Sequence, residues 1–177
     1  MRLFIAINLN DTTRNSLITL RDELRSSAEL GSFTLPENLH ITLAFLGECN
    51  AKQTAAAKIA MDSVSFKPIE IRIERIGRFG GGQGEALWWA GARVNEALSD
   101  LHRDLTDKLI AVGFSLDTRK FSPHITLGRR VVTDAVPRWI EPFGETVSKI
   151  DLMKSERIDG RLTYSAIYQK FFIEKTP

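Results

Sequence analysis

The sequence is constrained most by a five-residue motif that occurs twice. Residues 39–43 (LHITL) return 84 positions later as residues 123–127 (PHITL). In a strand, successive side chains face opposite sides, so His40 and Thr42 share one face. The other face of the first copy carries apolar side chains: Leu39, Ile41, Leu43 and Phe45. Each copy is therefore predicted to be an apolar strand with one polar face.

The chain around the motifs repeats in the same order. Residues 2–9 read as a buried strand, Asp11 as a helix N-cap, residues 12–30 as an amphipathic helix ended by Gly31, and residues 40–46 as the first motif strand. A shift of 84 positions gives a second strand at 86–92, an N-cap at Asn95, a helix ended by Gly113 and the second motif strand. The pattern predicts internal repeats over about 2–47 and 86–130.

Four further elements are predicted outside the repeats. Residues 51–64 form a helix, and the strictly alternating residues 69–76 pair with 86–92 as a hairpin whose tip is the glycine-rich run 80–84. Residues 147–153 and 162–173 read as two closing strands joined by Asp159 and Gly160. The whole predicts one two-lobed α+β domain over 1–177. Two pseudo-twofold-related strand-helix-strand units, with mainly antiparallel sheets, would face a central cleft and carry helices outside.

Composition restricts the class of protein without fixing its function. The net charge of +2 is too small to indicate bulk nucleic-acid coating, although a local basic patch remains compatible with an anionic substrate. A single cysteine, Cys49, excludes an internal disulfide and favours a reducing, cytoplasmic setting. The apolar run at residues 3–7 is shorter than a secretory signal, and no run approaches the ~18 residues of a membrane span.

Two imidazoles and two hydroxyls facing one cleft suit acid-base chemistry on a phosphodiester. One histidine can take a proton from a nucleophile while the other protonates a leaving oxygen. Threonine hydroxyls can donate to phosphate oxygens, and an arginine can bind the phosphate through two hydrogen bonds. The second motif has the cations for this role: Arg119, Lys120, Arg129 and Arg130. One isolated His-x-Thr would more often be structural, and its repetition in matching context favours function.

Other chemistries have less support in the sequence. The motif strands contain no Asp, Glu or Cys, so a zinc site with about three protein ligands is not expected. Ser122 lacks the glycines of a nucleophile elbow, and residues 80–84 lack the Gly-Lys-Ser/Thr ending of a phosphate-binding loop. His102 is predicted to be structural. Trp88 and Trp89 could stack a base, but adjacent strand residues face opposite sides, so at least one belongs to the core.

The paired motifs resemble those of the two-histidine phosphoesterase superfamily, and within it the bacterial RNA 2',3'-cyclic phosphodiesterases also called 2'-5' RNA ligases. The resemblance extends over residues 2–7, 40–43, 87–91 and 123–127 and includes Ser155 and Tyr164. It implies a bilobal α+β fold and opening of a 2',3'-cyclic phosphate to a 2'-phosphate, with no metal or other cofactor.

The resemblance also implies roles for individual residues. His40 would be the general acid that protonates the departing 3'-oxygen, and His124 the general base that activates water. Thr42 and Thr126 would hold phosphate oxygens, together with Arg129. Strict alternation instead places Arg130 on the face of His124, and a bulge at Gly128 would return Arg129 to it. The residue pattern alone leaves the choice between acid and base open, because the two half-sites are nearly equivalent.

The expected partner is an RNA or oligonucleotide end bearing a 2',3'-cyclic phosphate, acted on by a monomer without membrane association. By microscopic reversibility, weak 2'-5' ligation could accompany hydrolysis. Two alternatives remain open from the sequence. The same chemistry could act on a small cyclic nucleotide or a cyclic-phosphate sugar, or the chain could be a nucleotide-binding module without turnover.

Overall fold

The computed structural model describes residues 1–81, 84–117 and 119–172 of the 177-residue chain. Within these ranges the chain forms nine strands and three helices. The strands are β1 (Arg2–Asn8), β2 (Ala28–Phe33), β3 (His40–Glu48), β4 (Ile69–Phe79), β5 (Ala86–Ala92), β6 (His124–Thr133), β7 (Arg138–Val147), β8 (Lys149–Ile158) and β9 (Arg161–Phe171). The helices are α1 (Asp11–Ser26), α2 (Ala51–Asp62) and α3 (Glu96–Ala111), and Pro36–Asn38 forms a single 3₁₀ turn.

The strands form one antiparallel sheet whose order is symmetric about its centre. The order is β7-β4-β5-β6-β3-β1-β8-β9, with β2 paired to β6. The two motif strands, β3 and β6, are central neighbours and pair only at Ile41 with Ile125. Each half of the sheet therefore contains one motif strand, and the Ile41–Ile125 pair joins the two halves. The predicted α+β class, antiparallel pairing and outer helices are confirmed.

Helices α1 and α3 bury leucine-rich faces. Leu17 of α1 and the α3 residues Leu98, Leu101, Leu105 and Leu109 are fully or almost fully buried. Helix α1 contacts β6 and β7, and α2 contacts α3 and β9. None of the helices in the described ranges has the length and hydropathy needed to cross a bilayer. The opposite face of the sheet, which carries the polar side of both motifs, is left open.

The first repeat departs from its predicted boundaries. Asn10, not Asp11, caps α1, and its side chain accepts a hydrogen bond from the Thr13 backbone N–H. The helix ends at Ser26 rather than near Leu30, because residues 28–33 leave it to pair with β6. Gly31 therefore lies in a strand. In the second repeat, Asn95 caps α3 as predicted, and Gly113 follows it with a left-handed φ of 100°.

The closing elements also depart from their predicted boundaries. Strand β7 was not predicted, and its Pro142 is tolerated because β7 is an edge strand. Strand β8 begins at Lys149 rather than Val147. Asp159 and Gly160 form the predicted turn between β8 and β9 with φ values of 49° and 78°. The β4–β5 hairpin is confirmed, while Gly82, Gln83 and Ile173 lie outside the described residues.

Candidate active site

Both motif histidines line one cleft of about 1670 Å³ on the open face of the sheet. Thr42, Thr126 and Arg129 line the same cleft. His40 and His124 are each half-buried at the start of their strands, β3 and β6. The five residues singled out from the sequence are therefore brought together by the central pair of strands.

The two imidazoles are held in the same way. His40 Nδ1 lies 2.8 Å from the carbonyl oxygen of Asn38, and His124 Nδ1 lies 2.7 Å from that of Ser122. A carbonyl can only accept, so each Nδ1 carries the proton and each Nε2 is left for chemistry. In neutral His40, Nε2 accepts from the Thr42 hydroxyl at 3.0 Å. This tautomer leaves a basic nitrogen on each ring.

Asn38 anchors the segment that orients His40. Its side-chain amide donates to the carbonyl of Leu162 at 2.8 Å, while its backbone carbonyl accepts from His40. Asn38 is 5% exposed, and its Oδ1 has no hydrogen-bond partner among the described residues. The 3₁₀ turn is thereby tied to strand β9, which fixes the position of the carbonyl that His40 uses.

The surroundings of His40 disfavour its charged form. Burial lowers the pKa of His40 below its ordinary value, the hydrogen bond to Asn38 partly opposes this, and the positive charges of Arg129 and His124 lower it further. Phe4 and Tyr164 contact the His40 ring at centroid distances of 4.9 and 5.3 Å. Burial likewise raises the pKa of Tyr164. A negative phosphate in the cleft would reverse this balance and favour protonated His40.

Aromatic residues of β4 and β5 pack beside His124. The rings of Phe79 and Trp89 lie 5.1 and 6.3 Å from His124. Trp88 and Trp89 are 1% and 8% exposed, so both belong to the core and neither presents a free face on which a base could stack. His102 is half-buried at the border of the cleft and stacks on Phe121 at 3.9 Å.

Bulges in the motif strands determine which later residues face the cleft. Along β6, Thr126 is opposite Trp89 and Gly128 is opposite Trp88, so Leu127 is an extra residue. This lies beside the position predicted for a bulge, Gly128. As a result Arg129 lines the cleft, whereas Arg130 turns away and binds Glu85 through two hydrogen bonds of 2.9 and 3.0 Å. Arg130 has a φ of 54°, which accompanies a second irregularity.

Strand β3 contains the equivalent bulge, and it overturns one prediction. Thr42 is opposite Ala6 and Ala44 is opposite Ile5, so Leu43 is the extra residue. Alternation placed Phe45 on the core face with Ile41. The bulge instead returns Phe45 to the cleft, where it is 52% exposed. The equivalence with Arg129, 84 positions later, was the sequence signal that could have revealed this.

Two other cations singled out from the sequence lie further out in the cleft. Arg119 and Lys120 line the outer cleft, and Arg119 is paired with Asp117. Cys49 is buried. In the described part of the chain, no three His, Cys, Asp or Glu side chains are grouped as metal ligands would be. The arrangement therefore offers acid-base groups, hydroxyl donors and a guanidinium around one open cleft.

Paired histidines on symmetric strands facing such a cleft define a phosphoesterase-like class of protein, and comparison with known proteins agrees. The family model described as the 2'-5' RNA ligase superfamily matches residues 17–159, and the chain belongs to this family. A curated RNA 2',3'-cyclic phosphodiesterase from Archaeoglobus fulgidus is 33% identical over 151 residues, covering 82% of this chain and 85% of the relative.

Two further comparisons differ in coverage. A Geobacillus stearothermophilus protein with the same description is 33% identical over 129 residues, which are 72% of this chain but 41% of that relative. The crystal structure of Escherichia coli LigT complexed with 3'-AMP superposes with a TM-score of 0.81 at 24% identity, covering 98% of both chains. The structural likeness supports the fold.

Proposed function

We propose that this protein is an RNA 2',3'-cyclic phosphodiesterase that opens the terminal cyclic phosphate to a 2'-phosphate without a metal ion. The observation that carries the proposal is the matched pair of imidazoles. Each has its Nδ1 bound to a backbone carbonyl two residues before it, and each lines the cleft. Family membership and relatives described as RNA 2',3'-cyclic phosphodiesterases support the same activity.

The proposed reaction is a concerted displacement at phosphorus. His124 Nε2 takes a proton from water as the water oxygen bonds to phosphorus. The bond between phosphorus and O3' breaks, and protonated His40 gives its Nε2 proton to O3'. The product keeps the phosphate on O2', and the two histidines exchange their protonation states. Solvent then restores the starting forms.

The remaining groups would stabilise the negative charge that develops on the phosphate. Thr42 and Thr126 can donate their hydroxyl hydrogens to its non-bridging oxygens, and Arg129 can bind it through two N–H groups. Thr42 would exchange its present bond to His40 for one to phosphate once His40 is protonated. The volume of the cleft favours an oligonucleotide over a lone cyclic nucleotide, because pockets for small ligands are usually about 300–1000 Å³.

The test uses purified, EDTA-treated protein and a short RNA ending in a 2',3'-cyclic phosphate. We expect turnover, and chromatography should show only the 2'-phosphate end. An RNA with a 5'-hydroxyl added in excess would report weak 2'-5' joining by the reverse reaction. Activity that required added metal would contradict the metal-independent mechanism. Binding without turnover would instead support the non-catalytic alternative.

A further inference from the structure

The open face of the sheet continues past His124 to the edge strand β7, outside the cleft described above. One row of four residues, taken in turn from β6, β5, β4 and β7, crosses this half: His124, Gly91, Arg75 and Trp139. Directly opposed residues of antiparallel strands share a face, so Arg75 and Trp139 lie on the face of His124. Neighbouring strands are about 4.8 Å apart, which puts the backbone of Trp139 roughly 14 Å from that of His124.

Trp139 presents an aromatic surface at the end of this row. It is 71% exposed, more than any other large hydrophobic residue in the described ranges. Its neighbour Arg138 binds Glu23 of α1 at 3.0 Å, so alternation along β7 points Trp139 to the side without helices. An exposed indole suits an unpaired nucleobase, since bases of every type can stack on an aromatic ring.

Arg75 places a positive charge in the middle of this row. Its side chain lies across Gly91, because a Cβ built on that glycine would be 3.0 Å from both Cγ and Nε of Arg75. Its guanidinium carbon is 5.2 Å from the Trp89 ring centroid, and it forms no ion pair in the part of the chain that the structure describes. The preceding carboxylate, Glu74, is bound by Arg93 at 3.0 Å. Arg75 can therefore bind a phosphate through two N–H groups.

Charge and continuity with the cleft indicate what this surface binds. On the same strand as Arg75, Phe79 lines the cleft and its ring lies 5.1 Å from that of His124, so β4 connects the cleft to this surface. An apolar protein partner would cover Arg75 without a counter-charge, which is unfavourable. An unpaired RNA strand supplies both a phosphate for Arg75 and a base for Trp139.

The direction of the displacement determines which RNA strand lies here. The attacking and leaving oxygens lie roughly in line, on opposite sides of phosphorus. The proposed mechanism puts the departing O3' beside His40 and the attacking oxygen beside His124. The row from His124 to Trp139 is therefore on the side of the nucleophile, away from the nucleoside that carries the cyclic phosphate.

We propose that Arg75 and Trp139 bind a second, unpaired RNA strand whose 5'-hydroxyl takes the place of water beside His124. In this reaction His124 Nε2 accepts the proton of the 5'-hydroxyl as the 5'-oxygen bonds to phosphorus. The bond between phosphorus and O3' breaks, and protonated His40 gives its proton to O3', which leaves a 2'-5' phosphodiester. The proposal rests on the function given above and names the residues that favour joining over hydrolysis.

The test measures how one donor is divided between two products. A short RNA with a 2',3'-cyclic phosphate is incubated with an excess of 5'-hydroxyl RNA, and chromatography gives the ratio of joined to hydrolysed donor. Both products come from the same bound donor, so the ratio reports the contribution of the second strand. Arg75→Gln and Trp139→Leu should each lower this ratio about fivefold or more, the scale of losing one stacked base or one phosphate contact.

Matched controls separate this surface from general effects of charge and exposed aromatic area. Arg78 is also on β4 but is opposite the core residue Trp88, so Arg78→Gln removes the same charge from the other face. Phe171→Leu removes a ring that is 56% exposed on β9, the opposite edge strand. Both controls should keep the wild-type ratio. Arg75→Lys keeps the charge and should retain most of the joining, which would exclude an indirect effect through Trp89.

Binding without turnover separates failure of this surface from failure of the proposed function. The chain has three tryptophans, and Trp88 and Trp89 are buried, so a stacked base should quench chiefly the emission of Trp139. A 5'-hydroxyl RNA without a cyclic phosphate should quench wild type but not Trp139→Leu, and it should bind Arg75→Gln more weakly. This result would support the surface even in a protein that hydrolyses nothing. Absence of quenching in wild type, or a joining ratio that Arg75→Gln and Trp139→Leu leave unchanged, would overturn it.

Discussion

Phe45 and Arg129 occupy equivalent positions in the two halves of the protein, each five residues after its motif histidine and each returned to the cleft by a bulge. The backbone is therefore nearly symmetric at this point, whereas the chemistry is not. One half presents an aromatic ring and the other a guanidinium.

The bulge leads to a direct test of Arg129 against its neighbour. Arg129→Gln should lower kcat/KM about 100-fold, the scale of losing one donor to a transition-state oxyanion. Arg130→Gln removes the same charge one residue away, but Arg130 binds exposed Glu85 and does not line the cleft. The kcat/KM of Arg130→Gln should therefore stay within about twofold of the wild-type value. Steady-state kinetics on the cyclic-phosphate RNA would measure both, and the reverse order would contradict the placement of Arg129.

The two histidines should differ in their response to the leaving group. His40→Ala and His124→Ala are each expected to remove most activity while circular dichroism remains native. A substrate with sulfur in place of O3' has a leaving group that needs no proton, so its cleavage should be far less sensitive to His40→Ala. Its sensitivity to His124→Ala should persist, because water must still be activated. If both variants cleaved the sulfur substrate equally well, the assignment of His40 as the acid would be contradicted.

Protonation of His40 should also affect stability. Because burial and neighbouring charges lower its pKa below 6.5, the unfolded chain binds the proton more tightly than the native protein. The contribution of His40 to the free energy of unfolding is therefore fully present above pH 6.5 and is lost as pH falls from 6.5 towards its folded pKa. Burial lowers the pKa of His102 in the same direction.

Urea unfolding at several pH values tests this linkage. Wild type should lose stability as pH falls below 6.5, and His40→Gln should lose less, because only the His102 contribution remains. In NMR titrations of the folded protein, the His40 ring should titrate below 6.5. Arg129→Gln should raise that value, because a nearby positive charge is removed. A His40 pKa at or above 6.5 in the unliganded protein would contradict the prediction.

Most helices and strands were predicted correctly because each is indicated by the residue pattern of its own segment. The period-two pattern of residues 69–73 and the leucine spacing of α3 each follow from one element burying one face. Strand β2 was missed because it is largely exposed and lacks an alternating pattern, so only its pairing with β6 makes it a strand. The edge strand β7 was missed for a similar reason.

Strand alternation predicted which side chains face the cleft only within the two His-x-Thr motifs. His40, Thr42 and their counterparts precede the bulges, so simple alternation places them correctly. Beyond Leu43 and Leu127 the facing of each residue depends on registers with β1 and β5, which are contacts between distant parts of the chain. Phe45 was therefore not recognised as a cleft residue, and Arg129 could be chosen over Arg130 only by resemblance.

The absence of a side chain at Gly77 makes room for Trp89, which supports His124. Gly77 is opposite Trp89 in the β4–β5 pair, and a Cβ built on it would clash with the indole ring. Gly77→Ala must displace that ring, which lies 6.3 Å from His124 and 5.2 Å from Phe79. We expect a loss of about 1–3 kcal/mol in the free energy of unfolding, the usual cost of overpacking.

The same substitution should reduce kcat more than a loss of stability alone explains, because the contacts that hold the His124 ring are disturbed. Gly84→Ala is the matched control, since a Cβ there meets no atom of the described residues within 4 Å and Gly84 lies in the same hairpin. Unfolding by urea and kcat measured well below the melting temperature would separate the two effects. A Gly77→Ala variant with lower stability but wild-type kcat would show that Trp89 packs the core without positioning His124.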